Sequence, residues 1–361
     1  MSYKIAKRTD LADKGLYQDA KAAGVNLADY MQIQADEGKI SEEFYNPDDS
    51  TPAFKQVLGS LGVDPKGRDA ARPVEDVFMQ DPSKRVLFPE YIATRYRDLS
   101  RPMRNELTVE DLVTTITPVR SGAYTYGVIT EEHDAGANLS RVAEAAEFPT
   151  ITVQMGEQSI RLLKYGGKLK VSYEVIRRSS VSVMDRWIGA VVRRALRNKV
   201  NAALAVVLNG DGNNGAAPNL DVAGPGYTVA DIVELSLLAG DYGADPTILA
   251  GDRTELGKLL TLPIFTGTDS TTASDFRETG RWPAAFGMMP KRAPKGSLLD
   301  GAAKLLALDP EMGLEMAFDP SMDLVENDKI IERQIEFITF SEMIGFGKPE
   351  LGVGVTAHRS S

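Results

Sequence analysis

Residue types that could carry out catalysis are scarce in this chain of 361 residues. The sequence has no cysteine and only two histidines, His133 and His358. Because thiolates and imidazoles supply many nucleophiles, general bases and zinc ligands, this composition excludes disulfides and cysteine nucleophiles, and it argues against most zinc sites. The acidic cluster at residues 131–134 could hold a cation in principle, but such a cluster at a turn is more often solvated. No GxSxG, Walker A or HExxH motif occurs.

A glycine-rich segment, residues 210–215, has the GxGxxG spacing of dinucleotide-binding loops. That motif requires a strand before it and a helix that begins at the glycines. Here the preceding residues belong to a predicted helix, and Pro218 and Pro225 prevent a new helix from beginning. A calcium loop would need ligands at Gly215 and Val222, where neither residue type can serve. The segment is therefore predicted to be a turn, with no cofactor and no metal.

Charge is distributed unevenly along the chain, whose net charge is −10. Residues 106–160 carry 2 basic and 9 acidic groups, whereas residues 161–210 carry 11 basic and 2 acidic groups. These opposite charges could meet inside one subunit, or between subunits, where they would set register and partner choice. Binding of an anionic polymer by the basic block is a third interpretation. The overall acidity argues against a general nucleic-acid coat, because such proteins are usually basic.

The first part of the chain, residues 1–105, is polar, rich in alanine and interrupted by seven prolines. Short helices are predicted at residues 10–23 and 27–36, and no compact core is expected. Further along, alternating apolar and polar residues at 151–155 and 168–173 predict strands. With the acidic stretch before them they indicate a long hairpin. Since two strands alone are marginally stable in water, the hairpin should lie on another surface.

The clearest element is a helix at residues 181–208, with apolar residues at three- and four-residue spacing and a length of roughly 40 Å. Ser182 and Asp185 resemble a capping box, and Asn209 with Gly210 supplies the stop. Helix and strand patterns then alternate from 226 to about 300, which predicts a small α/β domain. Strand patterns return at 304–309, 314–318, 329–340 and 351–357, so the sheet is expected to combine distant parts of the chain.

This order of elements resembles that of the major capsid proteins of tailed bacteriophages, which have the Hong Kong 97 fold. Three local sequences carry the resemblance: YGGKLKVSYEVIRRSS (165–180), the turn Asn209–Gly210–Asp211–Gly212, and VLFPEYIATR (86–95). The resemblance covers roughly residues 80–357. Encapsulin shells share this fold and are an alternative.

The resemblance implies an α+β fold whose parts follow one another along the chain. They are an N-terminal arm (1–105), a peripheral-domain strand (106–119), an extended β-hairpin loop (120–160), a peripheral domain (161–225) with a long spine helix (181–208), an axial α/β domain (226–300), and returning strands of the peripheral and axial domains (301–361).

The implied function is structural, without enzymatic activity. Copies of the chain would self-assemble through pentamers and hexamers into an icosahedral phage head, in the bacterial cytoplasm, around double-stranded DNA that they contact without sequence specificity. Scaffolding, portal and decoration proteins are the other implied partners, and no membrane is involved. Two alternatives stay open: an encapsulin-like compartment, and a soluble α/β enzyme that uses residues 226–300.

Contacts between subunits are expected where the acidic loop meets the basic spine block of a neighbour. The acidic candidates are Glu131, Glu132, Asp134, Glu144 and Glu147, and the basic candidates are Arg177, Arg178, Arg186, Arg193, Arg194 and Arg197. Some members of the family cross-link covalently through a lysine in the loop. This chain has no lysine between Lys84 and Lys164, so no such cross-link is predicted.

Overall fold

Two structural units divide the chain. The first comprises Met1–Arg101, Gly166–Arg194 and Leu324–Phe340, and the second comprises Pro102–Tyr165, Ala195–Asp323 and Ser341–Ser361. The computed structural model describes residues 3–13, 15–64, 72–99, 105–120, 122–128, 154–155, 159–266, 282, 284, 286–322, 324–330 and 335–360.

The helices of the described residues are α1 (Gly15–Ala22), α2 (Leu27–Asp36), α3 (Ala53–Ser60), α4 (Pro82–Leu99), α5 (Tyr173–Arg178), α6 (Val181–Asn209), α7 (Val229–Asp241), α8 (Arg253–Leu260) and α9 (Pro263–Thr266). The strands are β1 (Val113–Pro118), β2 (Ala123–Tyr124), β3 (Gly127–Val128), β4 (Gln154–Met155), β5 (Ile160–Arg161), β6 (Leu163–Ser172), β7 (Asn219–Val222), β8 (Ile248–Gly251), β9 (Met289–Arg292), β10 (Lys304–Leu308), β11 (Leu314–Phe318), β12 (Leu324–Ile330), β13 (Ile335–Gly347) and β14 (Gly354–Arg359).

The first unit has a buried helical core. Phe78 packs against two residues of α4, with ring centroids 5.1 Å from Phe88 and 4.8 Å from Tyr91. Met31 of α2 and Phe54 of α3 are also fully buried. The prediction that residues 1–105 lack a compact core is therefore wrong. Each helix buries only a few apolar residues, and they form a core only when several helices converge, which a pattern read along the chain does not show.

Helix α6 matches the predicted helix at 181–208 to within one residue. It ends at Gly210, whose φ of +84° favours glycine and whose N–H donates to the Val206 carbonyl over 2.9 Å. The predicted capping box is wrong, because the helix begins at Val181 and Ser182 therefore lies inside it. The carboxylate of Asp185 instead accepts from Arg95 of α4, with a shortest distance of 2.7 Å. The backbone N–H groups of the first turn are directed at the carbonyl of Ser180.

The predicted α/β region folds around one five-stranded sheet of order β7-β14-β10-β8-β9. Apolar residues of α7 and α8 cover one face of this sheet, and Val200, Leu204 and Val207 of α6 belong to the cluster on the other face. Helix α7 begins with a capping box formed by Thr228 and Asp231. The sheet therefore takes strands from residues 219 to 359, as the returning strand patterns predicted.

A second five-stranded sheet has the order β1-β11-β13-β12, with β6 also paired to β13. Strand β1 runs parallel to β11, with Val113 opposite Leu314, so it joins segments about two hundred residues apart. The single strand pattern at 329–340 corresponds to two strands, β12 and β13. The pattern at 168–173 lies within the longer β6, except that Tyr173 begins α5 because Ser172 caps that helix.

Candidate assembly surfaces

Helix α6 carries an exposed arginine face. Arg186, Arg193 and Arg194 are exposed, and we call these three residues the basic face of α6. They lie within about 100° of one another around the helix axis, as their spacing requires. Within the described part of the chain, no carboxylate forms an ion pair with any of them. Any carboxylate partner of the basic face therefore lies outside the described residues or on another molecule.

Other cations of the basic block have partners inside the subunit. Nε of Arg197 lies 3.2 Å from Glu106 Oε1, and Nζ of Lys199 lies 2.6 Å from Glu342 Oε2. Arg178 lies 3.9 Å from Glu174, one turn away, and both side chains are highly exposed. An exposed pair of this kind contributes little to stability. Pairing within the subunit therefore accounts for Arg197 and Lys199.

Five acidic candidates and one basic candidate have no described side-chain contacts. Glu131, Glu132, Asp134, Glu144 and Glu147 lie outside the described residues. Arg177 belongs to α5, but its side chain lies outside the described part. The pairing of this acidic loop with the basic face of α6 on a neighbour therefore stays a prediction.

The base of the predicted hairpin is antiparallel where it is described. Ala123 pairs with Arg161 and Tyr124 with Ile160 in one ladder. Further along the hairpin, Gly127 pairs with Met155 in a second antiparallel ladder. Residues 122–128 therefore form an outgoing leg, and residues 154–155 and 159–161 belong to a returning leg.

The GxGxxG segment is a turn, as predicted. Oδ1 of Asp211 accepts the backbone N–H groups of Asn213 and Asn214, each over 3.0 Å. A Cβ on Gly210 would collide with the carbonyl oxygens of Asn214 and Gly215, so the turn needs glycine at that position. No group of metal-ligating side chains was found in the described portion of the chain. Among the same residues, no helix combines the length and apolarity needed to cross a membrane.

Comparison of the sequence with models of known protein families identifies the family of this chain. A family model described as phage capsid protein matches residues 156–341, which is more than half of the chain. The chain belongs to this phage capsid protein family. The matched range runs from the returning leg of the hairpin through α6 and both sheets as far as β13. This phage capsid protein is therefore a structural component of a virion shell.

Solved structures are similar to this chain at low sequence identity. A chain of Microbacterium phage Oxtober96 has a TM-score of 0.50 and 14% identity, covering 72% of this chain and 93% of that one. A chain of Gordonia phage Cozz gives 0.49 and 15%, covering 72% and 89%. A phage-related protein from Bordetella bronchiseptica RB50 gives 0.49 and 12%, covering 74% and 96%. The search of curated proteins returned no match. With the family match, the fold of this capsid protein is the Hong Kong 97 type of tailed-phage major capsid proteins.

Proposed function

We propose that this protein is a major capsid protein whose copies assemble through pentamers and hexamers into an icosahedral phage head that encloses double-stranded DNA. The observation that carries the proposal is the match of residues 156–341 to the phage capsid family. The net charge of −10 fits a shell that encloses DNA but binds it weakly, because repulsion between the acidic protein and the phosphates favours release of the DNA. Scaffolding, portal and decoration proteins are proposed as further partners, and the host cytoplasm as the place of assembly.

The contacts between copies are proposed to use the acidic hairpin and the basic face of α6. The basic face is exposed and has no carboxylate partner among the described residues. The stretch 106–160 carries 9 acidic and 2 basic groups. Opposite potentials of this kind steer association and fix register. We propose that the hairpin of one subunit lies on the basic face of the next.

Negative-stain electron microscopy of the purified protein, combined with light scattering, tests the proposed function. Closed shells, or rings of five and six subunits, are expected, either alone or after addition of a scaffolding protein. A monodisperse species between the 39.2 kDa monomer and a tetramer, persisting when scaffolding protein is supplied, would contradict it. Shells that co-purify with an enzyme instead of DNA would favour an encapsulin-like compartment.

A further inference from the structure

The two legs of the hairpin pack closely on strand β13 at two glycines. A Cβ on Gly347 would lie 2.6 Å from the Ile160 side chain and 2.6 Å from the Tyr126 ring. A Cβ on Gly345 would lie 2.5 Å from Ile160 and 2.8 Å from the carbonyl oxygen of Arg161. Tyr126 belongs to the outgoing leg and Ile160 to the returning leg. Both legs therefore contact the strand at a distance that only glycine permits.

The hydroxyl of Tyr126 reaches past this strand to the turn that ends helix α6. It donates to the carboxylate of Asp211 and accepts from Asn213 Nδ2 over 3.2 Å. The backbone N–H of Lys348 also approaches the hydroxyl, at 3.1 Å, and approaches Asp211 Oδ2 at 2.9 Å. Tyr126 is 1% exposed, so its hydroxyl is shielded from water, while Asp211 and Asn213 are half-buried. The outgoing leg, the end of α6 and the end of β13 thus meet at one carboxylate.

Lys348 completes this cluster from the other side. Its Nζ donates to the carbonyls of Val207 and Gly215, each over 3.1 Å. Val207 lies in the last turn of α6, where carbonyls lack partners within the helix and attract a cation. The lysine is completely buried. The same residue therefore caps the helix with its side chain and binds Asp211 with its backbone.

A buried network of directional bonds restricts geometry more than apolar packing does. Apolar contacts would tolerate a small rotation of the hairpin at similar energy, whereas each bond to Asp211 weakens steeply when its angle changes. The acidic residues proposed to contact a neighbour, 131–147, begin five residues after Tyr126 in the sequence. A change of direction at the base of the hairpin would therefore be passed on to the residues that follow it, including those proposed to contact a neighbour.

We propose that Tyr126, Asp211 and Lys348 form an anchor that sets the direction in which the hairpin leaves the subunit. They are positioning residues for assembly, and none of them needs to touch the neighbouring copy. The inference rests on the proposed function for its consequence, since it assumes that the hairpin contacts another copy. The anchor itself is a property of the single subunit and can be measured there.

The test compares Tyr126→Phe with the control Tyr227→Phe. The first variant keeps the ring against Gly347 and removes only the hydroxyl. The control also removes a hydroxyl from a buried tyrosine, which donates to the Ala303 carbonyl over 3.3 Å in a part of the sheet remote in sequence from the hairpin. Amide hydrogen exchange of the unassembled subunit and sedimentation of assembled shells are measured for both variants and for the unmodified protein.

The amide of Lys348 faces the Tyr126 hydroxyl, and the amide of Leu162 donates to the Gly122 carbonyl at the base of the hairpin. Tyr126→Phe is expected to speed exchange of both amides roughly tenfold, because a hydrogen bond to a charged group is lost. The fraction of subunits in closed shells should fall several-fold. Tyr227→Phe should assemble like the unmodified protein at a comparable loss of thermal stability, because the Tyr227 hydroxyl also bonds a carboxylate, that of Glu255. Unchanged exchange at these amides overturns the anchor. A loss of shells that merely follows the loss of stability in both variants also overturns it. If the unmodified protein forms no shells, the proposed function fails, while the exchange comparison still decides the anchor.

Discussion

Lys348 is the most deeply buried charged residue in the described part of the chain, with 0% of its surface exposed. Burial lowers its pKa from 10.5 to about 8, and the nearby charge of Asp211 opposes this shift. The neutral amine retains two N–H groups, enough for the carbonyls of Val207 and Gly215. Burial and the Asp211 carboxylate together raise the pKa of Tyr126, so its phenol stays protonated in the folded protein at pH 10. The buried amine therefore holds its partners in either protonation state.

The first prediction concerns the pH dependence of stability. Between pH 8 and 10.5 the unfolded chain holds the Lys348 proton and the folded chain releases it, so this residue makes the free energy of unfolding rise with pH in that window. Below pH 8 both states are protonated and its contribution is constant. Urea unfolding at pH 8 and pH 10 should show the unmodified protein gaining about 2 kcal/mol relative to Lys348→Met. A relative loss on raising the pH would contradict this.

The second prediction concerns the close contact between the hairpin and strand β13 at Gly347. Gly347→Ala places a methyl group 2.6 Å from Tyr126 and Ile160, and should lower the free energy of unfolding by about 1–3 kcal/mol through overpacking. Gly257→Ala in α8 is the matched control, because nothing lies within 4 Å of its Cβ. The control should instead raise stability by up to about 1 kcal/mol through helix propensity. Equal melting temperatures of the two variants would show that the contact at Gly347 tolerates a side chain.

At the scale of elements, the cations in the two halves of helix α6 have different surroundings. Towards its end, Arg197 and Lys199 pair with Glu106 and Glu342. Nearer its beginning, the basic face is exposed, while Asp185 forms an ion pair with the buried Arg95. One amphipathic helix therefore contributes to the subunit core with its apolar side and presents the basic face to solvent. Assembly should respond to that face without a large effect on folding.

The third prediction reverses charge on this face. The double variant Arg193→Glu with Arg194→Glu should change the free energy of unfolding by less than about 1 kcal/mol, since both residues are exposed, and should lower the yield of shells. Adding Glu144→Arg and Glu147→Arg should restore part of the yield, because the charges are then exchanged. Sedimentation measures the yield, and Arg253→Glu, at an exposed site on α8, is the control. If the variant with all four substitutions assembles no better than the double variant, contact between the hairpin and helix α6 is contradicted.

Raising the salt concentration tests the same contact without mutation. Ions screen exposed charges over about 8 Å at physiological ionic strength and over about 3 Å at 1 M. Shells of the unmodified protein should therefore dissociate at a lower denaturant concentration in 1 M salt. Stability that does not change with salt would contradict an electrostatic contact.

At the scale of the whole molecule, the assembled particle is predicted to be held by non-covalent contacts alone. The hairpin contains no lysine, because none occurs between Lys84 and Lys164, and the chain has no cysteine. No lysine of the hairpin can therefore form an isopeptide bond, and no disulfide can join subunits. Boiled particles should give a single band near 39.2 kDa on a denaturing gel. A ladder of multiples would show a cross-link that uses a lysine outside the hairpin.

Local spacing in the sequence predicted the elements that depend on near neighbours. Helix α6 was predicted to within one residue because its apolar face recurs every three to four residues over eight turns. Helix and strand patterns were predicted to alternate after residue 226, and helix α7 and strand β8 lie in that region. The capping box of α7 is local as well, because it lies in four consecutive residues. The order of these elements, together with three short segments, was enough to indicate a phage capsid, and the family match confirms it.

Only the tertiary structure decided which distant residues meet. Tyr126, Asp211 and Lys348 are separated by 85 and 137 residues, and no spacing along the chain connects them. The core of residues 1–101 was missed because each short helix contributes a small apolar surface that becomes a core only by convergence. Asp185 was assigned to a cap because the competing Arg95 lies 90 residues away. Periodicity reports the face that one element buries, whereas contacts between elements depend on how the whole chain satisfies its buried groups at once.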